Sequence, residues 1–216
     1  MGRPAALSRE TIVVAATALV EKRGADALSA RRLGEALSCD PTALYRHYAN
    51  MDDLRRDVGD RLLAAVRVDA RNGEPWDKVV LRICVELRSA QLRQPRLAAL
   101  VHAAPTRLVN ELRITDALLR ELLRGGFTPE AAARAYHSLV ELTVGSAAID
   151  ATLAGETAVA RRREYRAWRH AYATLDIEHY PNAVAVSGHL YDGTADQRFE
   201  RALAAMLDGL ASRRAG

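Results

Sequence analysis

The sequence predicts an all-α protein in two parts: an N-terminal three-helix domain carrying a helix-turn-helix, and a larger C-terminal helical domain. Two observations predict the class. Apolar residues recur at i, i+3, i+4 in segment after segment, the period of a helix with one buried face. Aromatics make up only 5% of a chain that is 49% hydrophobic, a balance that suits Ala- and Leu-rich helices better than sheets. A third observation divides the chain. Two short segments near the N-terminus, Ser29–Leu37 and Asp40–Tyr48, read as two short helices joined by a tight turn. With 216 residues there is room for one or two domains and a sizeable core.

The first helix is predicted over Arg9 to Arg23, where Ile12, Ala15, Ala16, Leu19 and Val20 form one stripe and Gly24 ends it. Ser29 is an N-cap residue for a short second helix that buries Leu33, Ala36 and Leu37 and turns Arg31 and Arg32 outward. Asp40-Pro41 starts a third, with Asp as cap and Pro at the first helical position. A helix of two turns is unstable alone, so it must pack on its neighbours and leave its other face for a partner. This is the layout of a helix-turn-helix, whose second helix lies in the DNA major groove. Asn50 and Asp53 form a capping pair for a fourth helix, Met51 to about Ala70, with Leu54, Val58, Leu62 and Val66 at steps of four. That helix links a domain of residues 1–50 to one of residues 51–216.

Beyond the break at Asn72–Pro75 come a helix from Trp76 to about Gln94, an interruption at Gln94-Pro95, a short apolar run Leu97–Val101 and a break at Pro105. Leu108–Arg124 is closed by Gly125-Gly126, and Thr128-Pro129-Glu130 starts a helix running to about Leu153. Arg161–Leu175 is basic and aromatic. Residues 177–196, rich in Pro, Gly, His, Tyr and Asp, are predicted as loop. A last helix, Gln197–Arg213, carries Phe199, Leu203, Met206, Leu207 and Leu210.

The pattern Ala30, Leu33, Gly34, Leu37, then Thr42, Leu44, Tyr45, His47, Tyr48, Asn50 and Leu54 resembles the N-terminal domain of TetR-family transcriptional repressors in residue types and spacing. There are two departures. The turn usually carries Gly and an aliphatic residue and here is Ser38-Cys39; Met51 stands where a phosphate-binding Lys is common. The resemblance implies a sequence-specific regulator, in the main a repressor, bound as a homodimer to a palindromic operator in double-stranded DNA and released by a small-molecule effector. It places the DNA contacts at Ser29, Arg31 and Arg32 and along Pro41, Thr42, Ala43, Tyr45, Arg46 and His47. Arg31 suits guanine O6 and N7, and its alternative is a solvated helix charge. Thr42 and Ala43 suit a thymine methyl or a phosphate, Tyr45 and His47 suit phosphates, and Arg46 suits either. Leu44 and Tyr48 belong to the core. Arg3 and Arg9 are either arm contacts or part of a loose terminus.

Dimerisation is expected through Gly145, Ala147 and Ala148 of the long helix and Leu203, Leu207 and Leu210 of the last, although these faces also suit packing within one subunit. The C-terminal half is similar in outline to tetracycline-responsive members, through Glu74-Pro75-Trp76, Gly126-Phe127-Thr128 and Phe199-Glu200 with Leu207–Leu210. The positions that would face the drug are Arg67, Ile83, Leu87, Ile114 and Leu118. Aliphatics replace most polar ligands, so tetracycline is not the expected effector. An apolar ligand anchored by Arg88, His102 or His137 fits these residues, and so does a closed apolar core.

The net charge of +4 is too small to establish nucleic-acid binding, and residues 1–50 hold seven basic against five acidic side chains. Cys39 and Cys84 form no framework and read as small buried residues. No HExxH, P-loop or G-x-S-x-G motif appears. The six histidines are scattered, and the Glu178-His179 and His189 loop suits solvent better than a metal. No catalytic residue, metal or cofactor is expected. The alternative functions are a helical protein-interaction module or an enzyme with an unrecognised site. With no apolar run of membrane-spanning length and no signal-peptide core, the expected location is cytoplasmic and away from membranes.

Overall fold

A computed structural model describes residues 7–103, 105–153 and 157–212. They form ten α-helices with short 3-10 segments between them, and among the described residues there is no strand. Helix α1 (Arg9–Arg23) opens on Ser8, whose hydroxyl accepts from Thr11 N–H while Thr11 Oγ1 accepts from Ser8 N–H. Helix α2 (Ala30–Leu37) follows the cap Ser29. The expected third helix is instead a 3-10 segment, Pro41–Arg46. Its first turn closes from Ala43 N–H to Asp40 O at 2.9 Å, and its last from His47 N–H to Leu44 O at 3.0 Å. Six residues held at both ends gain little from the α-helical bond, which needs one residue more per turn.

Helix α3 (Met51–Leu63) begins at the cap Asn50 and ends seven residues short of its expected end at Ala70. Its last carbonyl has other partners: Leu63 O accepts from Val66 N–H at 3.1 Å and from Arg113 at 3.3 Å, and Arg113 also donates to Val66 O just beyond the helix at 2.9 Å. The chain then runs irregularly, with Val66 and Val68 buried in the C-terminal core.

The C-terminal part contains α4 (Trp76–Arg93), α5 (Pro95–Ala103), α6 (Val109–Arg124), α7 (Pro129–Ala151), α8 (Ala158–Ala173), α9 (Pro181–Val186) and α10 (Ala195–Ser212). Pro95, expected as an interruption, starts α5, where its missing N–H has no cost. The expected 177–196 loop contains α9 and a 3-10 turn, Ser187–His189. Pro181 at the first position of α9 explains the difference.

Two apolar cores result. Ile12, Val20, Leu33, Leu44, Leu54 and Val58 close the head, and Leu97 of α5 joins them, so α5 is docked on the head. The second core is built from α4, α6, α7 and α10 around Ile83, Leu118, Leu122, Leu139 and Leu203. Cys84 lies in it, and burial pushes its thiol pKa up to about 11, so it is an inert apolar side chain.

The head and body are also bolted together by polar groups. Leu108, which precedes α6, offers no side-chain cap. Asp60 of α3, buried to 3% exposure, takes that role across space. Its Oδ2 accepts from Asn110 N–H at 3.1 Å and Nδ2 at 2.8 Å, and its Oδ1 accepts from Glu111 N–H at 3.0 Å. The Thr106 hydroxyl lies 2.9 Å from Asp60 Oδ1 and 2.9 Å from Glu111 Oε2, and its one proton serves one of them at a time. Arg113 completes the exchange by donating from α6 to the end of α3.

Candidate nucleic-acid interface

Helix α2 and the 3-10 segment pack so closely that only glycine fits between them. A Cβ on Gly34 would lie 2.9 Å from the Cys39 carbonyl oxygen and 2.9 Å from Pro41 Cγ. The turn itself is a paired C-terminal motif: Cys39 N–H donates to Gly34 O at 3.0 Å and Ser38 N–H to Glu35 O at 3.4 Å. Ser38 has φ +54°, a left-handed conformation that a glycine adopts with less strain. Gly34→Ala is expected to lower stability by about 1–3 kcal/mol, because a backbone carbonyl and a proline ring must both move. Thermal unfolding of the variant checks this, and a melting point equal to that of the parent would show that the turn is not tightly packed.

Leu44 and Tyr48 anchor the inner side of the 3-10 segment, at 2% and 4% exposure. The Tyr48 hydroxyl donates to Asp57 Oδ2 at 2.7 Å, and burial followed by this bond raises its pKa. The Arg9 guanidinium lies 4.6 Å over the same ring and 3.4 Å from Asp57, so Arg9 is tied to the head. Arg3 lies outside the described residues. The outer side presents Tyr45, half-exposed, with Arg46 and the half-buried His47; none of these three side chains has a polar or ring partner among the described residues. Thr42 stands beside them with its hydroxyl on Asp40 Oδ1 at 2.6 Å, and its bonds hold the Asp40 carboxyl below its usual pKa. Pro41 and Ala43 are half-buried.

On α2, Ser29 Oγ accepts from Arg32 N–H at 3.4 Å, Arg32 reaches Ala27 O, and Arg31 pairs with Glu35 at 3.1 Å on the surface. The Arg31 side chain remains 87% exposed, so the pair is weak and open to exchange for another anion. Arg31, Arg32, Tyr45 and Arg46 are thus brought to one end of the molecule on two adjoining elements, a polar surface with more donors than acceptors.

The candidate effector residues fall in four places. Ile83, Leu87, Ile114 and Leu118 are in the C-terminal core. Arg67 and His137 are exposed, Arg67 on Glu86 at 3.0 Å and His137 against the Tyr136 ring. Arg88 is buried and its guanidinium is fully engaged by Ser146 at 3.1 Å, Asp196 at 2.6 Å and Asp150. His102 lies 2.6 Å from Gln91 Oε1, and burial lowers its pKa. Gln91 Nε2 is buried and has no hydrogen-bond partner among the described residues. Nothing in the sequence marked Gln91 or Asp60: each is a polar residue on an otherwise apolar helix face.

Of the candidate dimer residues, Ala147, Leu203 and Leu207 are buried in the subunit itself and Leu210 packs against its core. Gly145, with open space where a Cβ would be, Ala148 and the exposed Ile149 lie on the outer face of α7. Among the described residues no three His, Cys, Asp or Glu side chains are grouped as metal ligands would be, and no helix is long and apolar enough to cross a membrane.

Known proteins give this geometry its context. The family profile described as "Bacterial regulatory proteins, tetR family" matches residues 12–58, and "Tetracyclin repressor-like, C-terminal domain" matches residues 70–214. The chain belongs to the TetR family. It is a DNA-binding transcriptional regulator with the fold of that family. A TetR-family relative, the tetracycline repressor protein class A from transposon 1721 of Escherichia coli, is 28% identical over 96% of this chain and 92% of its own. An HTH-type transcriptional regulator of Saccharopolyspora erythraea is 31% identical over 56% of this chain, which spans about half (51%) of that relative. Among solved structures, apo ActR from Streptomyces coelicolor is 27% identical with a TM-score of 0.84, covering 98% of this chain and 97% of its own. ActR in complex with actinorhodin has a TM-score of 0.87 at 27% identity, covering 98% of this chain and all of its own.

Proposed function

We propose that this TetR-family chain works in the cytoplasm as a homodimeric repressor that leaves a palindromic operator when a small ligand binds its C-terminal domain. The observation that carries the DNA contact is the outer side of Pro41–Arg46, where Tyr45 and Arg46 stand exposed and, among the described residues, unpaired, on a segment whose inner side is fixed by Leu44 and Tyr48. Arg31 joins them by giving up an exposed pair with Glu35 for a guanine edge. Two such heads read a palindrome when they sit about 34–36 Å apart, one turn of DNA. The outer face of α7, with Gly145, Ala148 and Ile149, suits the close approach of a second copy.

Regulation follows from linkage. A ligand that favours a different head spacing weakens DNA binding, and DNA weakens ligand binding by the same factor, typically about 1–3 kcal/mol. Support for a ligand in the α4–α5 interior comes from Gln91, whose buried Nε2 lacks a partner among the described residues and would gain one from a polar ligand atom beside His102. ActR, solved with actinorhodin, supports a small-molecule effector as well. The aliphatic lining argues against tetracycline.

Binding to the DNA flanking the chain's own gene, against scrambled DNA at two salt concentrations, tests this. Palindrome-dependent binding is expected, weakened at least tenfold by Tyr45→Ala with Arg46→Ala, each contact being worth about 1–3 kcal/mol. Binding that ignores sequence and vanishes with salt would mean backbone attraction alone and overturn the assignment.

A further inference from the structure

A cleft of about 660 Å³ lies between α8 and the start of α10, a volume suited to a small molecule. Arg162, Arg166 and Arg169 of α8 line it. Their spacing of four and three residues puts them on one helix face. None of the three has an ion pair or hydrogen bond among the described residues, whereas most arginines elsewhere in the chain do. Two lining carboxylates, Asp150 and Asp196, are already held by the buried Arg88. That leaves Asp192 as the one lining carboxylate without a side-chain partner among the described residues. Arg161 lines the cleft too and has a partner of its own; the other three arginines outnumber Asp192, so the described lining carries a net positive charge.

The cleft also offers aromatic surface. Tyr165 and Tyr191 line it and are stacked, with ring centroids 5.9 Å apart and planes 13° from parallel. Trp168 packs on Tyr191 at 5.0 Å, and the Arg198 guanidinium lies 4.4 Å over Tyr165, so both tyrosine rings are held in place. Because the ring faces are taken by one another, by Trp168 and by Arg198, the cleft meets ring edges; edges held this rigidly suit the face of an aromatic ligand, and planar guanidinium forks select an anionic group on it. We infer that this cleft binds a planar aromatic anion, a ring system carrying a carboxylate, sulfonate or ionised phenol. It is a different site from the α4–α5 interior discussed above, and its ligand is of the opposite character to an apolar effector. The charge on α8 has a use that a solvated helix face would not give it.

The probe is 1-anilinonaphthalene-8-sulfonate, followed by fluorescence on the full chain, with 2-naphthoate and its neutral counterpart 2-naphthamide as competitors. One bound probe per chain is expected, displaced by the naphthoate at concentrations at least tenfold below those of the amide. Replacing the three arginines together (R162Q, R166Q, R169Q) should weaken the probe at least tenfold with an unchanged circular dichroism spectrum. Equal displacement by acid and amide would overturn the proposal, and so would a folded triple variant that binds the probe as tightly as the parent. The competition on the unaltered protein decides the matter if the variant does not fold.

Discussion

Asp60→Ala is expected to destabilise the protein by about 3–5 kcal/mol, because it strips the cap from α6 and orphans several partly buried donors at once. Asp60 accepts from two backbone amides and one side-chain amide at 2.8–3.1 Å, and Leu108 offers no replacement cap. Losing one buried acceptor costs about 1–3 kcal/mol per donor left unpaired, and the donors here cannot all reach water. Asp60→Asn separates charge from geometry. Its single carbonyl oxygen keeps part of the set, and a smaller loss of about 1–2 kcal/mol is expected. Urea unfolding of the three proteins gives the comparison. If alanine and asparagine cost the same small amount, the α3–α6 junction does not hold the fold together. If the alanine variant loses its cooperative single transition, head and body have been uncoupled, which is the larger effect this junction predicts.

Arg88→Met should cost about 3–5 kcal/mol, for a different reason. Methionine fills much the same volume, so packing is largely kept. What is lost is the partner of Asp150, which is only 17% exposed and would remain as a poorly solvated charge. Asp196 is 72% exposed and loses little, since water replaces the arginine. The double variant R88M/D150N removes the stranded charge and is expected to recover a good part of the loss. Thermal or urea unfolding of the two singles and the double measures the coupling. Additive losses would mean that Arg88 serves packing against Phe199, over whose ring it lies at 5.0 Å, more than charge pairing.

The helices and their ends were legible where local chemistry sets them. Ser29, Asn50 and Thr128 each accept a hydrogen bond from the third residue on, as their types predict; Ser8 and Thr157 do the same at positions not predicted as caps. The head motif was legible for the same reason, since Gly34, Leu44 and Tyr48 have roles fixed by contacts within a few residues. Legibility failed where partners come from far along the chain. The end of α3 is set by Arg113, about fifty residues away, and the cap of α6 by Asp60. The helical α9 was hidden in a polar segment whose turn-forming residues outweighed the start signal at Pro181. Of the residues suggested for the effector, periodicity identified those that are buried and carried no information on which of them border open space.

The brevity of the Pro41–Arg46 segment sets an information limit. At about 2.0 Å per residue its six residues extend roughly 12 Å, and at 3.4 Å per base step that reaches about three to four base pairs. A four-letter word of that length recurs by chance about once in 256 positions, while a genome presents on the order of 10⁶ or more competing sites. A solitary head would be outnumbered by thousands of accidental matches. Two heads locked at one spacing square the odds to about one in 65,000, and the shape and stiffness of the untouched bases between them supply the remainder. In the proposed homodimer, addressing a single promoter is thus a property of the pair, and a change in their separation would erase the address without altering a single base contact.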